Sequence, residues 1–272
     1  MPKVERTVEH ALSPINVLCR DVGTIFEGSG QLSTCGRQGF TEPILAPMRH
    51  PKWCRMPPAS DGDEPCLPRH PNCHILNYDY LLDSSYLVHD WSAMGRSISP
   101  KSRTVFIDMG ASLSFHRDKK EFPILDLINQ YSKFGIKFDH VYAYELTPAN
   151  PDDVFQLVPD FLMASYHWIN QGVDTDRNSK LNPLTMVKMN YDRDDFVVVK
   201  LDIDTVEMES AFIDQLLSDD ELAEKIDHLY WEHHVGLKGH KEYKRKYDKS
   251  PKLSIELMTM LRQKGICAHY WI

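Results

Sequence analysis

The chain lacks any apolar run near the roughly 18 residues that a membrane-spanning helix needs, so no membrane span is expected. It also lacks a surplus of positive charge. Its 31 Lys and Arg against 39 Asp and Glu leave a formal charge of -8 and a pI near 5.9, and a surface of that sign is not built to hold nucleic acid in bulk through its phosphates. The opening residues, MPKVERTVEHALSPINVL, contain no apolar stretch of the signal-peptide kind, and no Asn-x-Ser/Thr acceptor occurs. A cytoplasmic chain is the expectation. Paired CxxC knuckles are missing too, so Cys54, Cys66, Cys73 and His74 do not read as a structural zinc site. With Cys35 they read as reduced thiols, or as disulfide candidates if the compartment is oxidising. No internal repeat or low-complexity tract is present.

What is there is ordinary for a globular protein. At 272 residues, 42% hydrophobic and 26% charged, the chain has enough material for one large core, and neither disorder nor coiled coil fits. Eight of its 17 prolines fall between Pro43 and Pro71, and proline removes backbone donors and fixes φ. Residues 1–100 therefore read as an accessory, irregular N-terminal region, with a short helix near Pro2 to Leu12 and an aromatic stretch, Tyr78 to Trp91, packed on the core.

From Arg103 onward, apolar runs of strand length alternate with amphipathic segments. That is the pattern of βαβ units and predicts a Rossmann-like, mainly parallel sheet with helices on both faces over residues 101–272. TVFID (Thr104 to Asp108), HVYAYE (ending at Glu145), FVVVKLD (ending at Asp202) and IDHLYWEHHV are the four clearest strands. Ile124, Leu127, Ile128 and Tyr131 recur at helical spacing before Gly135, a left-handed cap. A helix around Asp152 to Val158, a strand near Tyr166 to Ile169, a helix through Met208 to Leu217, a helix over about Lys252 to Lys264 with Gly265 as its cap and a last strand, ICAHYWI, complete the series. The segment KGHKEYKRKYDKSPK, from Lys238, reads as a solvated loop.

In open α/β sheets ligands bind outside the carboxyl ends of the strands, where loops and helix N-termini converge on a rigid support. All four clear strands end in acids or histidines: Asp108, Glu145, Asp202 with Asp204, and Glu232 with His233 and His234. Together they predict one shared pocket. Gly110, in the turn Asp108-Met109-Gly110-Ala111-Ser112, lets backbone approach a ligand with no Cβ in the way. Glu145 stands where such folds place an acid against ribose hydroxyls.

The ordered segments VFIDMGASLSF, VYAYELTP, FVVVKLDIDTVEMESAFI, IDHLYWEHHV and LRQKGICAHYWI resemble the core motifs of the FkbM-like S-adenosylmethionine-dependent methyltransferases, over about Arg103 to Ile272. The resemblance implies S-adenosyl-L-methionine as cofactor, held by Asp108, Gly110, Ala111, Ser112, Glu145 and Asp202, and methyl transfer to a hydroxyl of a small-molecule or glycan acceptor. It aligns Asp202, Asp204 and Glu207 with three acids of the family. The family's second motif glycine is Ser114 here, followed by Phe115; Asp204 stands for a Glu and Thr205 for a Gly.

The residues offer His233, His234 and Asp202 as bases for the acceptor's proton. Asp202, Asp204 and His234 form a candidate Mg or Mn site, since oxygen-rich sets suit these ions. The same DxD supports a rival reading, a metal-dependent glycosyltransferase acting on a nucleotide-sugar diphosphate. A third reading is a methyltransferase-like fold that binds without catalysis.

Overall fold

The computed structural model describes residues 32–35, 40–43, 98–112, 124–233 and 251–271. The expected N-terminal helix, the Tyr78 to Trp91 stretch, Ser114, Phe115, His234 and nearly all of the basic segment from Lys238 lie outside them. Among the described residues no helix is long and apolar enough to cross a membrane.

A hairpin of β1 (Leu32–Cys35) and β2 (Phe40–Pro43) comes first. The sheet then follows as β3 (Thr104–Met109), β4 (His140–Tyr144), β5 (Tyr166–Ile169), β6 (Phe196–Leu201), β7 (His228–Trp231) and β8 (Cys267–Tyr270). Between them run α1 (Leu125–Lys133), α2 (Pro151–Phe155), α3 (Pro183–Asn190), α4 (Val206–Ser218), α5 (Asp220–Ala223) and α6 (Pro251–Gln263). The six strands are ordered β5-β4-β3-β6-β7-β8, and every neighbour pairing is parallel. The fold is thus the expected α/β, Rossmann-like arrangement. The chain runs outward from β3 to one edge and returns to β6 to build the other half, so the β3/β6 boundary is the topological switch point where a crevice opens.

The apolar runs are continuous because both faces are covered. Alternate residues of each strand point to opposite faces. Phe106 and Val198 join α1 residues Leu127, Ile128 and Tyr131 in one core. Val105, Ile107, Val197 and Val199 join Leu184, Phe212, Ile213 and Leu261 in the other. Phe106, Val198, Val105 and Val199 are fully buried. Removing one such side chain costs about 2–5 kcal/mol.

Local signals explain most boundaries. Gly135 and Gly265 take positive φ just after α1 and α6, as their cap positions require. Helix α3 was not expected: apolar side chains stand on both its buried side (Leu184, Val187) and its exposed side (Met189), so its amphipathic contrast is weak. Its start is nevertheless encoded, since Asn182 caps the amides of Leu184 and Thr185 and Pro183 fills the first turn. α2 is shorter than expected, and the β1–β2 hairpin breaks the irregular character foreseen for its region. β1 lies against α6. Cys267, fully buried in β8, is disulfide-bonded.

Candidate functional site

At the switch point a cavity of about 510 Å³ opens at the carboxyl ends of the strands. It is lined by the turn after β3 (Gly110, Ser112), the end of β4 (Tyr144, Glu145, Leu146, Thr147), the loop after β5 (Gln171, Gly172, Val173), the loop after β6 with the start of α4 (Asp202, Ile203, Asp204, Thr205, Met208) and Glu232 after β7. That volume suits a nucleoside-sized ligand.

Gly110 has φ +92, and a Cβ built on it would lie 1.6 Å from the Asp202 carbonyl oxygen. Glycine is therefore demanded by the neighbouring strand end as well as by the backbone angle. This differs from the expectation that it clears room for a ligand. The turn is pinned on the β4 side, where the amides of Gly110 and Ala111 both donate to the Tyr144 carbonyl at 3.0 and 2.9 Å. On the β6 side the Asp202 amide donates to the Met109 carbonyl at 3.0 Å.

Glu145 is half-buried at the cavity edge. One of its oxygens accepts the Thr147 amide, at 2.6 Å, which fixes the carboxylate's direction. Asn170 holds the same corner, donating to the carbonyls of Glu145 and Thr147 at 2.8 and 2.9 Å. Leu146 is 75% exposed on the cavity wall and packs against the space beside Gly172. An apolar side chain so exposed at a concave site offers a face for a planar ring.

Beneath the cavity floor lies a residue that periodicity alone does not single out. Lys200, in the middle of the apolar run of β6, is fully buried. Its Nζ is 3.1 Å from Asp108 Oδ1 and 3.0 Å from Asp202 Oδ2, and it donates to the Gly110 carbonyl at 2.9 Å. Burial pulls the lysine's pKa down, but Asp108 and Asp202 outweigh it and hold the ammonium above its usual range. Asp108 is also fully buried, and burial raises its pKa against the pull of Lys200. Its contact with Lys200 is an ion pair without hydrogen-bond alignment, since neither carboxylate oxygen completes a hydrogen bond. The signal was a lysine inside a strand otherwise reading as covered on both faces, a position that charged residues occupy only when paired.

Of the residues expected to hold a cofactor, Gly110, Ser112, Glu145 and Asp202 line the cavity. Asp108 and Ala111 are fully buried and do not reach it. Among the candidate bases, Asp202 lines the cavity. His233 is not among the lining residues: its ring stacks on Trp231 with centroids 4.0 Å apart, and its Nδ1 is 2.7 Å from Ser254 Oγ. Asp202, Asp204 and Glu232 each bring a carboxylate oxygen within 4.8 Å of the others. Glu232 thus stands beside the two aspartates where His234 had been expected. Asp204 holds φ 53, a left-handed angle uncommon outside glycine. Glu207 is exposed, whereas Glu209 is buried and accepts from the Ile203 amide (3.2 Å) and from Trp231 Nε1 (3.3 Å). The acid that fixes the loop after β6 therefore lies two residues beyond the one aligned by resemblance.

Comparison of the chain with protein-family models, curated proteins and solved structures finds no match.

Proposed function

We propose that the chain is an S-adenosylmethionine-dependent methyltransferase acting on a hydroxyl of a small-molecule or glycan acceptor. The observation that carries this reading is Glu145 at the end of β4, facing the same cavity as the Gly110–Ser112 turn and Asp202 at the sheet's switch point. In this reading the Glu145 carboxylate takes the ribose hydroxyls, the turn borders the methionine portion and Leu146 covers one side of the base. The cofactor, when bound, supplies a methyl group already activated by its sulfonium. The protein's own work is then to align the acceptor oxygen and take its proton. Asp202 is the candidate base that lines the cavity.

The three clustered carboxylate oxygens of Asp202, Asp204 and Glu232 favour a second reading, in which they hold Mg or Mn for a glycosyltransferase. The donor set is suitable in kind, but Lys200 already engages Asp202, and no step of the first reading runs through a metal.

Calorimetric titration with S-adenosylmethionine and S-adenosylhomocysteine tests the proposal. Micromolar binding, weakened about 30-fold or more in Glu145→Ala, is the expected result. Binding of a uridine or guanosine diphosphate sugar only with manganese, lost in Asp204→Asn, would transfer the function to the second reading. A folded protein that binds neither would leave a non-catalytic binding module.

A further inference from the structure

Six residues stand in one row across the sheet: Trp168, Ala143, Asp108, Lys200, Tyr230 and His269, each in register with the next. The row lies on the α1 face, one step above Phe106 and Val198. At its centre Asp108 and Lys200 are direct partners, and the Lys200 ammonium lies 5.7 Å from the Trp271 ring. This is an expensive place for charge. A fully buried carboxylate and ammonium, with a second carboxylate at the cavity wall, are commonly worth no more to stability than apolar side chains of similar volume. Packing therefore gives no reason for a lysine here.

Geometry gives one. The Gly110 carbonyl accepts from Ser112 N and from Lys200 Nζ, both at 2.9 Å. Tyr144 grips the turn from β4, and Lys200 is the side chain that grips it from β6. The same ammonium reaches Asp202, whose carboxylate lines the cavity. One buried group thus fixes the two walls that face each other across the switch point.

We propose that Lys200 is a positioning residue: it holds the Gly110–Ser112 turn and the Asp202 carboxylate in the arrangement that binds the nucleoside cofactor, without touching it. The inference rests on the methyltransferase reading above. Removing the ammonium takes from the Gly110 carbonyl its donor on β6, leaving the local Ser112 amide, and leaves Asp202 to turn, so the cavity loses its shape while the sheet, which is held by strand ladders, persists.

The test compares the full chain with Lys200→Met, which keeps the stem and removes the charge, and Lys200→Arg, which keeps charge and donors. Calorimetry with S-adenosylhomocysteine reads affinity, circular dichroism reads folding, and nitrogen-15 NMR of lysine ammonium groups reads the residue itself. A folded Lys200→Met should bind about 30-fold more weakly than the parent, with at least partial recovery in Lys200→Arg. The parent should show a slowly exchanging ammonium resonance, missing from Lys200→Met, that shifts on addition of S-adenosylhomocysteine. Affinity within threefold of the parent in Lys200→Met, or an arginine variant that folds yet binds no better than methionine, overturns the assignment. Should neither variant fold, a parent resonance unmoved by ligand overturns it equally. A parent that binds no S-adenosylhomocysteine refutes the methyltransferase reading itself, a result distinct from each of these.

Discussion

Three glycines allow the cost of the turn after β3 to be separated into its causes. Gly135 has φ +84 with nothing within 4 Å of an added methyl, so Gly135→Ala adds backbone strain alone, about 1–2 kcal/mol. At Gly172 a methyl would meet Leu146 Cδ1 at 3.0 Å. Leu146 is an exposed, flexible side chain, so Gly172→Ala should cost under about 1 kcal/mol. Gly110→Ala combines a positive φ with a methyl 1.6 Å from the backbone oxygen of Asp202, where real contacts essentially never fall below 3.0 Å. The oxygen cannot yield without moving the end of β6. That movement endangers the Asp202 amide bond to Met109 and the Lys200 bond to Gly110. Strain, overpacking and one or two lost hydrogen bonds together amount to about 3–6 kcal/mol. That is a large part of the roughly 5–15 kcal/mol typical of whole domains. Urea denaturation of the three variants beside the parent gives the comparison directly, and the melting temperature of Gly110→Ala should fall by roughly 10–20 °C. If Gly110→Ala lies within about 1 kcal/mol of Gly135→Ala, the crossing of the β3 turn with the end of β6 is wrong, and so is the site built on it.

Glu209→Gln leaves one acceptor oxygen where the Ile203 amide and Trp231 Nε1 both donate; a loss of about 1–2 kcal/mol is expected by denaturation, and unchanged stability would refute the latch. Burial acts to raise the Asp195 pKa, but Arg103 and the backbone amides of Asp192 and Arg103 outweigh it and hold the carboxyl below its usual value. Its contribution is therefore present at neutral pH and is lost as pH falls below about 4, so the stability difference between the parent and Asp195→Asn should shrink on acidification through that range. Cys267 is disulfide-bonded, and the five other cysteines all lie at or before Cys73. Peptide mapping without reductant should recover Cys267 in a cross-linked peptide, and reduction should cost up to about 5 kcal/mol; recovery of an alkylated free thiol at Cys267 would refute it.

Periodicity was enough to locate the six strands of the parallel sheet, though not the β1–β2 hairpin, because burial on both faces leaves a continuous apolar run such as FVVV whatever the neighbours are. Tyr166–Ile169 was expected at the residues observed, and the glycine caps of α1 and α6 were read from Gly135 and Gly265. α3 escaped because its exposed side carries the apolar Met189 as its buried side carries Leu184 and Val187, so no contrasting polar face betrays it. At the site, the strand-end acids were visible as candidates, since a strand that stops at a sheet edge meets solvent there. Their meeting at one pocket was expected as well; which of them line the cavity was not legible, and Asp108 lies buried outside it.

The chain's local chemistry therefore determined the elements, their order and which polar residues close each strand, because side-chain period and turn residues act over a few positions. Tertiary structure alone decided that β3 lies beside β6, which sets Asp108 opposite Lys200 and brings Gly110 under Asp202. It also decided that Glu232 joins Asp202 and Asp204 and that Glu209, rather than Glu207, turns inward. Strand neighbours and register are contacts between segments far apart in the chain, and no pattern within either segment records which partner it will meet.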